Sequence, residues 1–160
     1  MDSRKAKSLG SKAGLKAVTM GLVIAEFIMT IFSWDEGIFK AVFWFANYDY
    51  LLNIVFAVII FYLCGHLFGQ AASKAILINH KHYSLEGFKF GLFTLFVTTV
   101  VSSCISFLIE GTAKIGMRGE APVYDYIFEP VYWVCFFGLI PALVMGYWFG
   151  KQIRKRIRFK

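Results

Sequence analysis

The sequence predicts an all-α integral membrane protein: a compact four-transmembrane-helix bundle with both termini cytoplasmic. Composition points there first. Of 160 residues 58% are hydrophobic and 19% aromatic, more than a soluble domain carries, and the apolar residues gather in four blocks. Length is the second observation. The blocks at 17–34, 51–70, 88–109 and 126–150, at about 1.5 Å rise per residue, cover most or all of a ~30 Å hydrocarbon core. Charge placement is the third. With four spans threaded in order, all of the 17 basic residues except Lys40, Lys114 and Arg118 fall on the side of the termini. The positive-inside rule makes that side the cytoplasm.

The domain plan follows. Residues 1–16 form a basic cytoplasmic segment, 17–150 the transmembrane domain and 151–160 a basic cytoplasmic tail. The +7 net charge sits in these flanks and in the loop with Lys74, Lys81 and Lys89, so it reads as orientation and attraction to anionic lipid headgroups. No specific nucleic-acid role is assigned to it. The 1–16 segment is expected to be frayed or to lie along the headgroups. The first span has a basic n-region but a long apolar run and no Ala-x-Ala-like site before Asp35, which fits an uncleaved anchor better than a signal peptide. The source is expected to be a bacterial cytoplasmic (inner) membrane.

The first span carries one acid, Glu26, with Thr19, Thr30 and Ser33 on the same helix face. A carboxylate at bilayer depth is costly unless protonated, paired or wetted, so this face should look into the bundle. After Asp35-Glu36-Gly37 comes a stretch at 38–50 too short to span and rich in Phe, Trp and Tyr. It reads as a short external interfacial helix.

In the second span Tyr62, His66 and Gln70 recur every fourth position beside the small residues Gly65, Gly69 and Ala72, and the helix is expected to continue towards Ile78. Small residues let two backbones approach closely inside lipid. His66 lacks a companion ligand within the membrane, and His80 with His82 is weak as a metal site, so a hydrogen-bonded packing histidine is expected and no metal is assigned. Cys64, Cys104 and Cys135 lie in three different spans with no paired spacing and read as packing residues.

The third span presents Thr94, Thr98, Ser102, Ser106 and Glu110 at steps of four, widened by Thr99 and Ser103. Single hydroxyls bond back to their own turn, but a strip of them asks for a partner helix or a wet path. A Gly- and Pro-containing external loop then leads to Glu129-Pro130, which opens the last span. That span has Gly138, Ala142, Gly146 and Gly150 at steps of four, an extended small-residue face that predicts a tight crossing. Pro141 beside it should kink the helix.

No phosphate-binding Gly loop, His-Glu-x-x-His, Cys-x-x-Cys or Gly-x-Ser-x-Gly occurs, so no enzymatic activity and no cofactor are assigned. No internal repeat stands out along the chain. The leading functional reading is a membrane-embedded subunit or assembly factor that joins copies of itself, or a partner membrane protein, through its Gly-rich faces. The alternative is a small proton- or ion-coupled transporter. Its coupling candidates are Glu26, His66, Glu110 and Glu129, and its lining candidates are Thr19, Thr30, Tyr62, Gln70 and the third-span hydroxyls. A pore-forming effector is the third reading.

Gly21-Leu-Val-Ile-Ala-Glu-Phe-Ile-Met-Thr30, followed by Glu36-Gly37-Ile-Phe39, resembles the first helix of the small multidrug resistance transporters. That family has four short spans and a first-helix Glu that exchanges protons against cationic drugs, so the resemblance implies Glu26 as a coupling acid. It covers positions 21–30 and 36–39, and the family's later helix signatures are absent. No membership is taken from it.

Overall fold

The structure is a computed structural model and describes residues 2–32, 37, 43, 48–117 and 121–158. It is all-helical among these, with four long helices: α1 (Ser3–Phe32), α2 (Tyr48–Leu77), α3 (Tyr83–Ile109) and α4 (Glu129–Arg158). A short 3-10 helix (Gly111–Lys114) and a π-helical turn (Tyr124–Phe128) lie between α3 and α4. Each of the four long stretches is apolar and long enough to cross a membrane. The interfacial helix expected at 38–50 falls outside the described residues, except for Phe43 and for 48–50, which belong to α2.

Sequential helices run antiparallel and pack in a cycle. The α1–α2 and α3–α4 pairs make the most extensive contacts, followed by α2–α3 and α1–α4. The chain ends and the α2–α3 loop therefore share one end of the molecule. Most of the densest packing lies towards that end: Ala6, Ala72, Ile76, Phe90, Phe149 and Ile153 are buried, with the Phe90 and Phe149 rings stacked 4.2 Å apart. Towards the other end the helices turn large apolar side chains outward, Phe27, Leu108, Phe128 and Phe136 among them, as a lipid-facing surface allows.

Two glycine crossings set this packing. On α1, a Cβ added at Gly10 or Gly14 would run into the backbone of Gly69 or Gly65 on α2. On α3, one added at Gly87 or Gly91 would meet the backbone of Gly146 or Ala142 on α4. The small residues thus allow backbone-to-backbone approach at both crossings. Basic residues 4–16, expected to be frayed, are instead the opening half of α1, because Gly10 and Gly14 need α2 as their partner. At about 1.5 Å per residue α1 is ~45 Å long, more than the ~30 Å thickness of a hydrocarbon core.

The crossings also share a spacing that does not stand out along the sequence. A shift of 77 positions carries Gly10, Gly14, Gly65, Gly69 and Ser73 onto Gly87, Gly91, Ala142, Gly146 and Gly150. Around them Gly10, Lys12, Gly14 and Leu15 have Gly87, Lys89, Gly91 and Leu92 at the same spacing, and Gly69, Lys74 and Ile76 have Gly146, Lys151 and Ile153. The two helical hairpins thus place their crossing residues at the same spacing. Each hairpin holds two spans, so the two point the same way. The repeated lysines Lys12, Lys74, Lys89 and Lys151 are all exposed and collar the crossings. Pro141 sits inside α4 without ending it.

Candidate functional site

The polar side chains singled out in the sequence divide into three groups along the helices. Nearest the terminal end, His66 on α2 is held from both sides. Its Nδ1 lies 2.8 Å from Ser11 Oγ on α1, and Gln70 Nε2 lies 2.6 Å from its Nε2. With Gln70 donating, the ring proton resides on Nδ1 and faces Ser11. Tyr62 OH, one turn further on, is 3.0 Å from Thr19 Oγ1, and Thr19 also donates to its own Leu15 carbonyl at 3.0 Å. The Tyr62, His66 and Gln70 face is therefore a polar clip between α1 and α2 beside the first glycine crossing. Among the described residues no three His, Cys, Asp or Glu side chains converge on one point.

The second group lies on α3. Thr94, Thr98, Thr99 and Ser103 are buried, whereas Ser102 and Ser106 are only half-buried. The expected strip at steps of four is thus redirected. At about 100° per residue the hydroxyls from Thr94 to Ser106 spread over half the helix circumference, so spacing alone does not select the inward ones. The packing around α3 buries Thr99 and Ser103 as well. Thr99 Oγ1 donates to the Leu95 carbonyl at 2.8 Å and Ser102 Oγ to the Thr99 carbonyl at 3.1 Å. Thr94 and Thr98 differ. They are 3% and 9% exposed, and neither Oγ1 has a hydrogen-bond partner among the described residues.

The third group is nearer the opposite end. Glu26 is half-buried on α1, its Oε1 is shielded from solvent, and its backbone carbonyl accepts from Thr30 Oγ1 at 2.8 Å. It lies beyond Gly21, which faces the Phe61 ring of α2. Under the 77-position shift Glu26 falls on Ser103, the last buried hydroxyl of α3. Glu110, at the C-terminal cap of α3, accepts from Asn53 Nδ2 on α2 at 3.1 Å. Glu129 opens α4 and is exposed, outside this pairing.

Sequence reasoning missed two polar side chains. Asn53 ties α2 to α3, and its isolation in an apolar run was the available signal. Ser73 is fully buried and donates to the Ala6 carbonyl at 2.7 Å, closing the terminal end of the α1–α2 crossing. Gly65, Gly69, Ala142, Gly146 and Gly150 all face helices of the same chain, and Gly138 faces the Leu95 side chain of α3. Cys64 is buried and Cys104 and Cys135 are half-buried, all three as free thiols. The chain matches no known family model, no curated protein and no solved structure, so its function has to be read from this geometry.

Proposed function

We propose that this chain is a small membrane transporter that couples passage of a polar or charged solute to a proton or ion, with Glu26 as the coupling acid. The observation that carries this reading is the pair of sealed, unpartnered hydroxyls on α3. A threonine hydroxyl in or just after a helix readily bonds the carbonyl of the preceding turn, as Thr19, Thr30, Thr99 and Thr112 do here. Thr94 and Thr98 do not, although they are more deeply buried than most of these. Leaving such a group unsatisfied costs about 1–3 kcal/mol. Water or a passing solute between the helices would satisfy both. Ser103, also buried, extends the α3 hydroxyls towards the opposite end, and Glu26 is half-buried on α1.

The test is proton movement into liposomes holding the purified protein and a pH-sensitive dye. Glu26→Gln keeps the shape and removes the titrating group, so coupled proton flux should disappear while the protein stays folded. Normal flux in Glu26→Gln across about pH 6 to 8 would rule out the coupling role.

The charge bias supports a bacterial cytoplasmic membrane with both termini inside. In a background lacking Cys64, Cys104 and Cys135, Lys155→Cys should be shielded from an impermeant thiol reagent in intact cells. Thr112→Cys, exposed at the other end, should react. Labelling of Lys155→Cys from outside would reverse this topology.

A membrane-embedded subunit is the second reading. Most of the small residues that suggested it are occupied within the chain, so a partner would need another surface. The surface that favours it is the ring cluster of Tyr132, Trp133, Phe136 and Phe137, exposed on α4. A stable hetero-complex in mild detergent would support it.

A further inference from the structure

The two hairpins differ at one corner, and a basic surface groove lies beside it in the second. In the first hairpin Ala6 is fully buried and Ser73 closes the crossing by donating to its carbonyl. The same positions in the second hairpin are Tyr83 and Gly150. A phenol ring replaces a methyl group, and Gly150 lets α4 close directly onto the Tyr83 backbone. Beside this contact lies an open surface groove of about 260 Å³ at the terminal end, lined by Ile76, His80, Lys81, His82, Tyr83 and Arg154.

Its chemistry is one-sided. Four of the six lining residues are basic or imidazole groups, and none is acidic. The nearby carboxylate, Glu86, is already engaged by Lys89 at 3.3 Å and by Lys81 at 4.0 Å. Among the described residues no carboxylate pairs with Arg154. Its guanidinium instead lies over the Tyr83 ring, 4.6 Å from the centroid, and the His82 ring stacks on the same tyrosine at 5.1 Å. The guanidinium stays exposed beside the ring, and its fork suits bidentate recognition of phosphate. The loop is held as well: Lys81 N–H donates to the Ala75 carbonyl at 3.1 Å, and His80 takes a left-handed φ of 52°. A non-glycine residue in that conformation is sustained only by surrounding structure. Ile76 supplies the one aliphatic wall.

We propose that this corner is a binding site for a phosphate group, presented either by an anionic phospholipid headgroup or by a soluble phosphate. Arg154 grips two oxygens, Lys81 neutralises charge, and the histidines donate from the loop. The collar of exposed lysines at the same end brings anionic headgroups to this level of the molecule. The site is independent of the transport reading and stands or falls separately.

The experiment uses the full chain in phosphatidylcholine nanodiscs, with and without phosphatidic acid, and the full chain in maltoside detergent titrated with inorganic phosphate. Saturable binding is expected in at least one arm. Response to phosphatidic acid alone assigns a lipid headgroup, and response to inorganic phosphate assigns a soluble ligand. Arg154→Gln and Lys81→Gln should each weaken that binding about tenfold or more, the scale of a charge-assisted hydrogen bond. Lys155→Gln removes the same charge from the exposed tail and should change it less than about twofold, which general screening allows. Arg154→Lys keeps the charge but loses the fork, and should fall between wild type and Arg154→Gln. Lys81 is exposed, so its variant reports even where a change at Arg154 disturbs folding. Equal weakening by Lys155→Gln, or saturable binding in neither arm, overturns the proposal.

Discussion

Gly146→Leu should lower the thermal midpoint of the protein in detergent by roughly 6–12 °C. Any Cβ at this position would enter the backbone of Gly87, whose carbonyl carbon would lie 3.1 Å away, with Gly91 N at 3.3 Å. A flexible side chain could swing aside; a helix backbone cannot. The α3–α4 crossing would have to open along its length, uncovering Phe90 and Phe149 behind it. Overpacking of a close-fitted site costs about 1–3 kcal/mol, and backbone as the obstacle puts this substitution at the upper end. For a chain of this size each kcal/mol moves the midpoint by about 2–4 °C. Gly14→Ala, in the crossing of the first hairpin, should also destabilise, because its Cβ would meet the Gly65 backbone. Gly21→Ala is the contrast. Its Cβ would touch only the Phe61 ring at 3.7 Å, an ordinary contact, so the gain in helix propensity of about 0.5–1 kcal/mol should prevail. Thermal unfolding of the three variants checks the signs. A midpoint for Gly146→Leu within about 2 °C of wild type would mean the crossing is not closed in the membrane protein.

Thr94→Val combined with Thr98→Val should raise stability and abolish transport together. Valine fills nearly the same space as threonine and removes the hydroxyl, so two buried unsatisfied groups disappear at little packing cost. About 1 kcal/mol per group returns to the folded state, a rise in midpoint of several degrees. The same change dries the interior of α3, and a proton or polar solute loses its stepping points there. Opposite movement of stability and flux is the signature. Loss of both would show that the hydroxyls are structural donors. Unchanged flux would place the route elsewhere in the bundle. Thr99→Val serves as the reference, since that hydroxyl already bonds the Leu95 carbonyl.

The sequence by itself determined the four apolar helices, because a run of that length and composition has few alternatives in water or lipid. It also marked the faces where helices approach closely, because Gly and Ala at steps of four mean the same thing in any membrane helix. Which helix fills each face was not legible. A small-residue stripe on α4 accepts a partner from its own chain or from another, and only the packing shows α3 against it. The shared spacing of the crossings was hidden for a related reason. Lipid-facing positions need only be apolar, so the two hairpins share identity chiefly at the crossings, and those positions stand out once the contacts select them. The α3 hydroxyls show a geometric limit. Steps of four name a strip, but the helices packed around α3 decide that Thr94, Thr98, Thr99 and Ser103 are the buried ones. The Asn53–Glu110 bond and the Tyr83–Arg154 corner join residues 57 and 71 positions apart. Only the tertiary structure brings such groups together, because spacing along a chain carries no information about which helix ends meet.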